Sequence, residues 1–98
     1  MVARISTLQI PTDKIEQGIR FMRETAIPRV RDRLRKGMKQ GYWCLDRKSG
    51  KAVVVTFWES EEAERATSAG AAQLRSEAQA ALGSTAMSVE TFEVIGQI

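Results

Sequence analysis

Very few side chains in this 98-residue sequence can perform acid–base or nucleophilic chemistry near neutral pH. The sequence contains no histidine and no asparagine, and it has a single cysteine, Cys44, and a single tyrosine, Tyr42. Histidine is the usual proton shuttle near neutral pH and a common neutral ligand of zinc and haem iron. A Ser-His-Asp or Cys-His site is therefore excluded within the chain. With no cysteine pair and no phosphate-cradling loop, we expect no haem, flavin or transition metal to be bound.

The remaining candidates for chemistry are mainly aromatic. The hydroxyl of Tyr42 could donate a hydrogen bond to an oxyanion or relay a proton, and the indole N–H of Trp58 could orient a ligand that stacks on its ring. Both residues also have a purely structural interpretation, Tyr42 as a half-buried strand residue and Trp58 as a large core residue. Cys44 lacks a neighbouring base in the sequence and is typical of a small buried hydrophobic residue.

Positive charge is concentrated in one part of the chain, although the net charge is only +3. Residues 20–51 carry eleven Lys or Arg against three acids, whereas residues 52–98 carry seven acids against two Arg. The two parts could attract one another across a symmetric dimer, or they could be two solvated faces. Three arginines are candidate partners for an anion: Arg4, Arg20 and Arg23.

The elements that must position these residues follow the order β-α-β-β-α-β. Val2–Ile10 is a β-rich run closed by Pro11, and it predicts the first strand. A helix follows, with Asp13 and Glu16 as a capping box. Its apolar stripe has a 4-3-4 spacing and comprises Ile15, Ile19, Met22 and Ala26.

Pro28 is expected to end or kink this first helix, because proline clashes with the preceding turn. A shorter helical piece should follow, with Val30 and Leu34 as its apolar pair and Gly37 as its stop. The second helix begins with Ser60 as its N-cap, has Gly70 as a weak point and stops at Gly83. The last strand is predicted over Met87–Ile95.

Gly41–Asp46 and Lys51–Trp58 predict a β-hairpin around a loop in which Gly50 supplies a positive φ. If the loop has three residues and a bulge, Arg47 pairs with Lys51 and Tyr42 lies opposite Thr56. One face of the hairpin then holds Trp43, Leu45, Val53, Val55 and Phe57. The other face holds Tyr42, Cys44, Val54, Thr56 and Trp58.

Both predicted hairpin faces are apolar, whereas a sheet with one wet face alternates apolar with polar residues. Helices can cover only one of them, so a second copy of the chain is the economical cover for the other. The sequence therefore predicts an α+β fold of the ferredoxin-like βαββαβ type, as a single domain over residues 1–98 that forms a homodimer. No stretch approaches the ~20 apolar residues of a membrane span, so we expect a cytoplasmic protein without a membrane partner.

The stretch GYWCLDRKSGKAVVVTFWESEEAERA, from Gly41 to Ala66, resembles the antibiotic biosynthesis monooxygenase (ABM) family of the dimeric α+β barrel superfamily. Members often show a Gly-Tyr-Trp element, a D-x-x-[ST]-G hairpin and a strand that ends in Trp-Glu-Ser, here Trp58-Glu59-Ser60. The closing SVETFEVI also resembles the last strand of the family. The resemblance implies a homodimer whose two sheets form a barrel, with a pocket between the sheet and the helices of each subunit.

Some members of that family oxidise polycyclic phenols to quinones with molecular oxygen and without metal or flavin, and others degrade haem. Trp58 matches the tryptophan that both groups place in the pocket, but their asparagine and histidine match nothing here. The resemblance therefore implies a cofactor-independent monooxygenase for a small aromatic or polycyclic phenol, and it disfavours haem degradation. The alternative is a non-catalytic dimeric module that binds a small molecule.

The candidate site residues follow from this reading. Trp58 and Tyr42 are the candidate catalytic residues, and the candidate substrate-binding residues are Met22, Phe21, Thr56 and Cys44. Nucleic acid is a different class of partner, which the basic run of residues 29–39 raises. RNA-recognition domains share this strand order, but Lys51–Trp58 lacks their glycine-aromatic pattern, so we expect no nucleic-acid binding.

Overall fold

A four-stranded antiparallel sheet, with its strands in the order β2-β3-β1-β4, forms one layer of the computed structural model, which describes all residues from Met1 to Ile98. The helices form the second layer. The predicted ferredoxin-like α+β fold is confirmed. The strands are β1 (Val2–Gln9), β2 (Met38–Leu45), β3 (Lys51–Trp58) and β4 (Thr85–Glu93). The α-helices are α1 (Ile15–Phe21), α2 (Ile27–Arg31), α3 (Glu61–Ala66) and α4 (Ser68–Leu82).

The chain continues in helical form through Pro28. Between α1 and α2 it widens into a π-helical turn over Met22–Ala26, and the N–H of Ile27 donates to the carbonyl oxygen of Met22. Pro28 lies in the first turn of α2, where its missing N–H costs least. The predicted capping box at Asp13 is wrong, because Thr12–Lys14 forms a 3₁₀ turn without a side-chain cap.

The segment after α2 turns a different side chain inward from the one we predicted. Asp32–Lys36 is a 3₁₀ helix, which ends at Gly37 in the left-handed conformation with φ of 96°. Such a helix has three residues per turn, so Arg33 follows the buried Val30 on the same side. Leu34, predicted to pair with Val30, is exposed.

The second helical stretch begins as predicted and breaks at a different residue. The Oγ of Ser60 accepts a hydrogen bond from the N–H of Ala63 at 3.1 Å, so Ser60 is the N-cap. The break between α3 and α4 lies at Thr67 rather than at Gly70. Gly83 ends α4 with φ of 72°. None of the helices is long and apolar enough to cross a membrane.

The hairpin register differs from our prediction by one residue. The N–H of Asp46 donates to the carbonyl oxygen of Lys51 at 2.9 Å, so the loop has four residues, and the predicted pairing of Arg47 with Lys51 is wrong. Trp43 lies opposite Val54, and Tyr42 lies opposite Val55 rather than Thr56. A slip of one residue exchanges the two faces of a strand. The assignment of β3 to its faces is unaffected by the slip, but that of β2 is reversed.

The sheet therefore has one face under the helices and one open face. The helix-covered face contains Trp43 and Leu45 from β2, together with Thr56 and Trp58 from β3. The open face is largely apolar although the chain has no further element to cover it. Its apolar members are Ala3, Ile5, Tyr42, Cys44, Val53, Val55, Phe57 and Phe92.

The hairpin loop requires glycine at position 50. Gly50 has φ of 78°, and a Cβ there would clash with the carbonyl oxygen of Ile10. We expect Gly50→Ala to lower the free energy of unfolding by about 2 kcal/mol or more, from backbone strain alone. Urea denaturation measures the change. Gly96→Ala is the control, since nothing lies within 4 Å of the added Cβ. Equal stabilities of the two variants would contradict this account of the loop.

Candidate functional site

A mainly apolar cavity lies between the covered face of the sheet and the helices. Its volume is about 80 Å³. One water needs only about 10–15 Å³ by that measure, so the cavity has room for several waters or for part of a ligand. Its walls come from β1, β2, β3, α4 and the helical stretch from the end of α1 onward. The apolar lining residues include Leu8, Ile10, Phe21, Met22, Trp43, Leu74 and Leu82.

The cavity has a polar end and an apolar end. Along β1, Arg4 pairs with Thr56 at one end of the wall, and Leu8 pairs with the buried Ala52 towards the other. Helix α4 runs beside it from Ala71 to Leu82, a length of about 16 Å at 1.5 Å per residue. The only charged side chains in the lining are those of Arg4, Arg33 and Arg75, and no carboxylate lines the cavity.

The polar end is built on a buried ion pair. The Nη1 of Arg4 lies 3.2 Å from the Oε1 of Glu64, and both residues are buried. Thr91 donates to the same oxygen at 3.4 Å. The guanidinium carbon of Arg4 also lies 5.0 Å from the centroid of the Trp58 ring, a cation–π distance. Burial lowers the pKa of Arg4, and the carboxylate of Glu64 opposes this shift.

Trp58 and Thr56 form a hydrogen-bonded pair beneath the cavity. Trp58 is 0% exposed, and its Nε1–H donates to the Oγ1 of Thr56 at 2.9 Å. A hydroxyl has one donor and two acceptor positions. Because the indole occupies an acceptor position and Thr56 donates to no protein atom, the Thr56 O–H is free to donate to a ligand.

Trp43 supplies the aromatic wall. Its ring lies against the backbone of Gly41, where a Cβ would meet Cζ3 of Trp43 at 3.0 Å and the Cγ2 of Thr56 at 3.4 Å. The missing side chain at position 41 therefore allows the indole to lie over the strand beside Thr56. The predicted position of Trp43 on the other face is wrong, because it depends on the shorter hairpin loop.

Two further arginines line the cavity without an ionic partner. Arg33 and Arg75 form no salt bridge and no side-chain hydrogen bond. Burial lowers the pKa of each guanidinium, and the positive charge of Arg4 lowers it further. Neither residue is among the predicted partners of an anion, whereas the predicted Arg20 and Arg23 are exposed and lie outside the cavity. The spacing of Arg75 four residues after the buried Ala71 was the available signal.

The structure brings together only some of the predicted site residues. Phe21, Met22 and Thr56 line the cavity. Trp58 does not line it but donates a hydrogen bond to Thr56. Tyr42 and Cys44 lie on the open face of the sheet and are exposed in the single chain, so their predicted position beside Thr56 was wrong. No group of three or more His, Cys, Asp or Glu side chains is arranged to hold a metal ion.

Solved structures match this fold over nearly the whole chain, whereas no protein-family model and no curated protein matches the sequence. A Deinococcus radiodurans protein assigned to the antibiotic biosynthesis monooxygenases has a TM-score of 0.79 and 18% identity, and the match covers 100% of this chain and 96% of that one. The haem degrader MhuD of Mycobacterium tuberculosis, solved with two haems in its active site, has a TM-score of 0.72 and 23% identity. That match covers 100% of this chain and 99% of MhuD.

Two further structures are similar. SnoaB, a cofactor-independent oxygenase of Streptomyces nogalater, has a TM-score of 0.65 and 16% identity, and the match covers 99% of this chain and 95% of SnoaB. A dimeric ferredoxin-like protein from an uncultured marine organism has a TM-score of 0.73 and 8% identity, and the match covers 99% of this chain and 96% of that one. The chain thus has the ferredoxin-like fold of the antibiotic biosynthesis monooxygenases, as the resemblance of Gly41–Ala66 predicted.

The ion pair of the polar end gives a stability prediction. Glu64→Gln leaves the Arg4 guanidinium buried without a counter-charge, so we expect the free energy of unfolding to fall by about 3 kcal/mol. Urea denaturation measures the loss. Glu61→Gln is the matched control, because that carboxylate is exposed and pairs only with Arg65 at 3.6 Å. A Glu64→Gln variant as stable as the control would show that the pair contributes little.

Proposed function

We propose that this chain is a cofactor-independent monooxygenase that acts on a small aromatic or polycyclic phenol bound in the cavity. The observation that carries the proposal is the pairing of an apolar, Trp43-walled cavity with the free O–H of Thr56, which the indole of Trp58 holds in place. Sparse polar groups at the edge of an apolar cavity are what orients an aromatic ligand. The shared fold with SnoaB supports the same class of reaction.

The arginines provide the electrostatic part of this chemistry. A phenol beside a guanidinium ionises more readily, because the positive charge favours the phenolate. With no acid–base side chain in the lining, the phenolic proton passes to water at the open mouth. Thr56 then donates to the phenolate oxygen, and a donor in a dry site is worth more than the same donor in water.

The reaction uses oxygen as the only oxidant. The electron-rich phenolate supplies electrons to O₂, one oxygen atom enters the ring as the new quinone carbonyl, and the other leaves as water. The phenol loses its hydroxyl hydrogen and one hydrogen of the ring, and these two hydrogens balance that water. The chain's own residues bind the ring, stabilise the anion and keep bulk water away from the reacting carbon.

Haem degradation is a less suitable function for this cavity, although MhuD shares the fold. The sequence has no histidine, and its only tyrosine and cysteine lie on the opposite face of the sheet. The cavity therefore offers haem iron no imidazole, phenolate or thiolate ligand.

The functional unit in this proposal is a homodimer in which the open faces of two sheets pack together as a barrel. Tyr42 and Phe92 on that face are 53% and 47% exposed in the single chain, which is unusual for large apolar side chains on a sheet. A second copy would cover them, together with Val55 and the thiol of Cys44. The dimeric ferredoxin-like protein of the same fold supports this arrangement.

A dimeric module that binds a small molecule without transforming it is the second candidate. The observation that favours it is the lining itself, which contains arginine as its only titratable side chain. Such a module would bind aromatic ligands and leave oxygen untouched, so oxygen consumption separates the two functions.

Oxygen uptake tests the enzyme. Anaerobic protein is mixed with a dihydroxynaphthalene and air is admitted, with the uncatalysed oxidation subtracted. We expect Thr56→Val to reduce kcat about tenfold or more, because it removes the donor to the phenolate. Trp58→Phe should also slow turnover, since it removes the hydrogen bond that orients Thr56.

Two variants serve as controls. Thr85→Val alters an exposed threonine and should leave turnover unchanged, and Tyr42→Phe should do so as well because Tyr42 lies on the open face. Oxygen uptake no faster than the uncatalysed rate, with ligand binding retained, would favour the binding module. Equal losses in Thr56→Val and Thr85→Val would contradict the role of Thr56.

Light scattering during size exclusion tests the dimer. Val55→Glu places a charge on the open face beside Tyr42, so we expect the variant to elute as a monomer while the unaltered protein elutes as a dimer. Ala69→Glu, on an exposed position of α4, should remain dimeric. If Val55→Glu does not fold, Tyr42→Lys at the exposed edge of the same face replaces it. A dimer that survives both substitutions would place the interface elsewhere.

A further inference from the structure

The polar end of the cavity carries more positive charge than the chain neutralises. Arg4, Arg33 and Arg75 all line it, and Glu64 is the only carboxylate paired with any of them. Two guanidinium groups are therefore left without a counter-charge in a partly dry site. Retaining unpaired charges away from water is costly for folding unless a ligand or solvent compensates them.

The guanidinium of Arg33 lies close to helix α4 because position 70 of that helix has no side chain. Gly70 lies inside α4, where glycine is less favourable than alanine. A Cβ at that position would lie 2.8 Å from the Nη2 of Arg33. The missing side chain lets the guanidinium lie against α4, at the same end of the cavity as Arg4.

The remainder of the cavity is mainly apolar and in part aromatic, with Ser6, Thr56 and Ser84 as its hydroxyl groups. Trp43 and Phe21 contribute rings to its walls, while Leu8, Ile10 and Leu82 form the end away from Arg4. The C-terminal end of α4 is close to the residues that follow β1 there, since a Cβ on Gly83 would lie 3.8 Å from the Cγ of Pro11. A ligand that matches both ends has a negative group at one end and an apolar body.

We propose that the cavity binds an aromatic carboxylate, with its carboxylate held between Arg33 and Arg75 and its ring beside Trp43. Guanidinium is the side chain best suited to a carboxylate, because its planar fork donates two parallel hydrogen bonds. The paired Arg4 contributes the field that favours an anion and is already hydrogen-bonded to Glu64. This inference rests on the proposed function only in taking the same cavity as the ligand site.

The charge of the ligand is tested with a matched pair of probes. Isothermal titration calorimetry compares 2-naphthoate with 2-naphthamide, which has the same ring and shape without the charge. We expect naphthoate to bind at least tenfold more tightly. Arg33→Gln and Arg75→Gln should each weaken naphthoate binding at least fivefold and leave naphthamide binding unchanged.

Two further variants sharpen the test. Arg20→Gln removes an exposed arginine outside the cavity and should change neither affinity. Gly70→Ala should weaken naphthoate binding by displacing Arg33 while raising Tm, because alanine favours the helix. A variant that merely damaged the fold would lower Tm, so these readouts separate positioning of Arg33 from loss of structure.

Equal affinities for naphthoate and naphthamide, or no binding of either, would overturn the proposal whatever the variants do. Naphthoate affinity that is insensitive to both Arg33→Gln and Arg75→Gln would overturn the assignment of these arginines. The measurement needs no turnover. Selective naphthoate binding can therefore be found in a protein that consumes no oxygen, and oxygen uptake can be found where this selectivity is absent, so failures of the two proposals are distinguishable.

Discussion

The buried guanidinium of Arg4 is the group on which the rest of this site depends. A charge that is taken out of water needs both a counter-charge and hydrogen bonds. Glu64 supplies both from α3, and the ring of Trp58 in β3 supplies a negative face. Arg4 thereby connects the central strand β1 to its neighbour β3 and to helix α3. Removing its partner would leave the charge and lose the connection.

The same guanidinium determines the chemistry of the space above it. Its positive charge reaches Arg33 and Arg75 and lowers the pKa of both, in addition to the larger effect of their burial. A neutral apolar molecule would leave those charges as they are, whereas an anion would compensate them. The phenolate of the proposed reaction and the carboxylate of the proposed ligand therefore satisfy one electrostatic requirement. In both cases the apolar walls select for the aromatic body.

Much of the fold could be predicted from the sequence, because local signals agreed with one another. Ser60 with two following acids predicted a helix start, and Gly83 predicted its end. The hairpin register could not be predicted in this way. Gly50 suits loops of three or four residues equally well, and both strands are apolar on both faces, so the hydrophobic pattern did not distinguish the two registers.

The candidate site was only partly predictable for related reasons. Met22 follows from the apolar stripe of its helix and Thr56 from its face of the strand, and both line the cavity. Phe21 lies outside that stripe and lines the cavity as well. Trp43 was predicted on the wrong face, because the predicted hairpin register was wrong by one residue. Arg33 and Arg75 are on helical segments rich in charge, where arginine is typical of a solvated surface. Only the three-residue repeat of Asp32–Lys36 and the close approach at Gly70 turn Arg33 inward, and neither is visible in composition or charge.

The four-residue loop of Arg47–Gly50 also makes the contents of the cavity sensitive to insertions and deletions. Strand β2 already tolerates an irregularity between Met38 and Gln40, where its pairing with β3 shifts by one residue. A deletion of one loop residue, absorbed at that irregularity, would rotate β2 by one position and exchange Trp43 for the phenol and thiol of Tyr42 and Cys44. Within this fold, a single codon can thus replace an aromatic wall by acid–base and redox-active groups without a substitution in either strand. Evolution and protein engineering therefore have a short route here between cavities of very different reactivity.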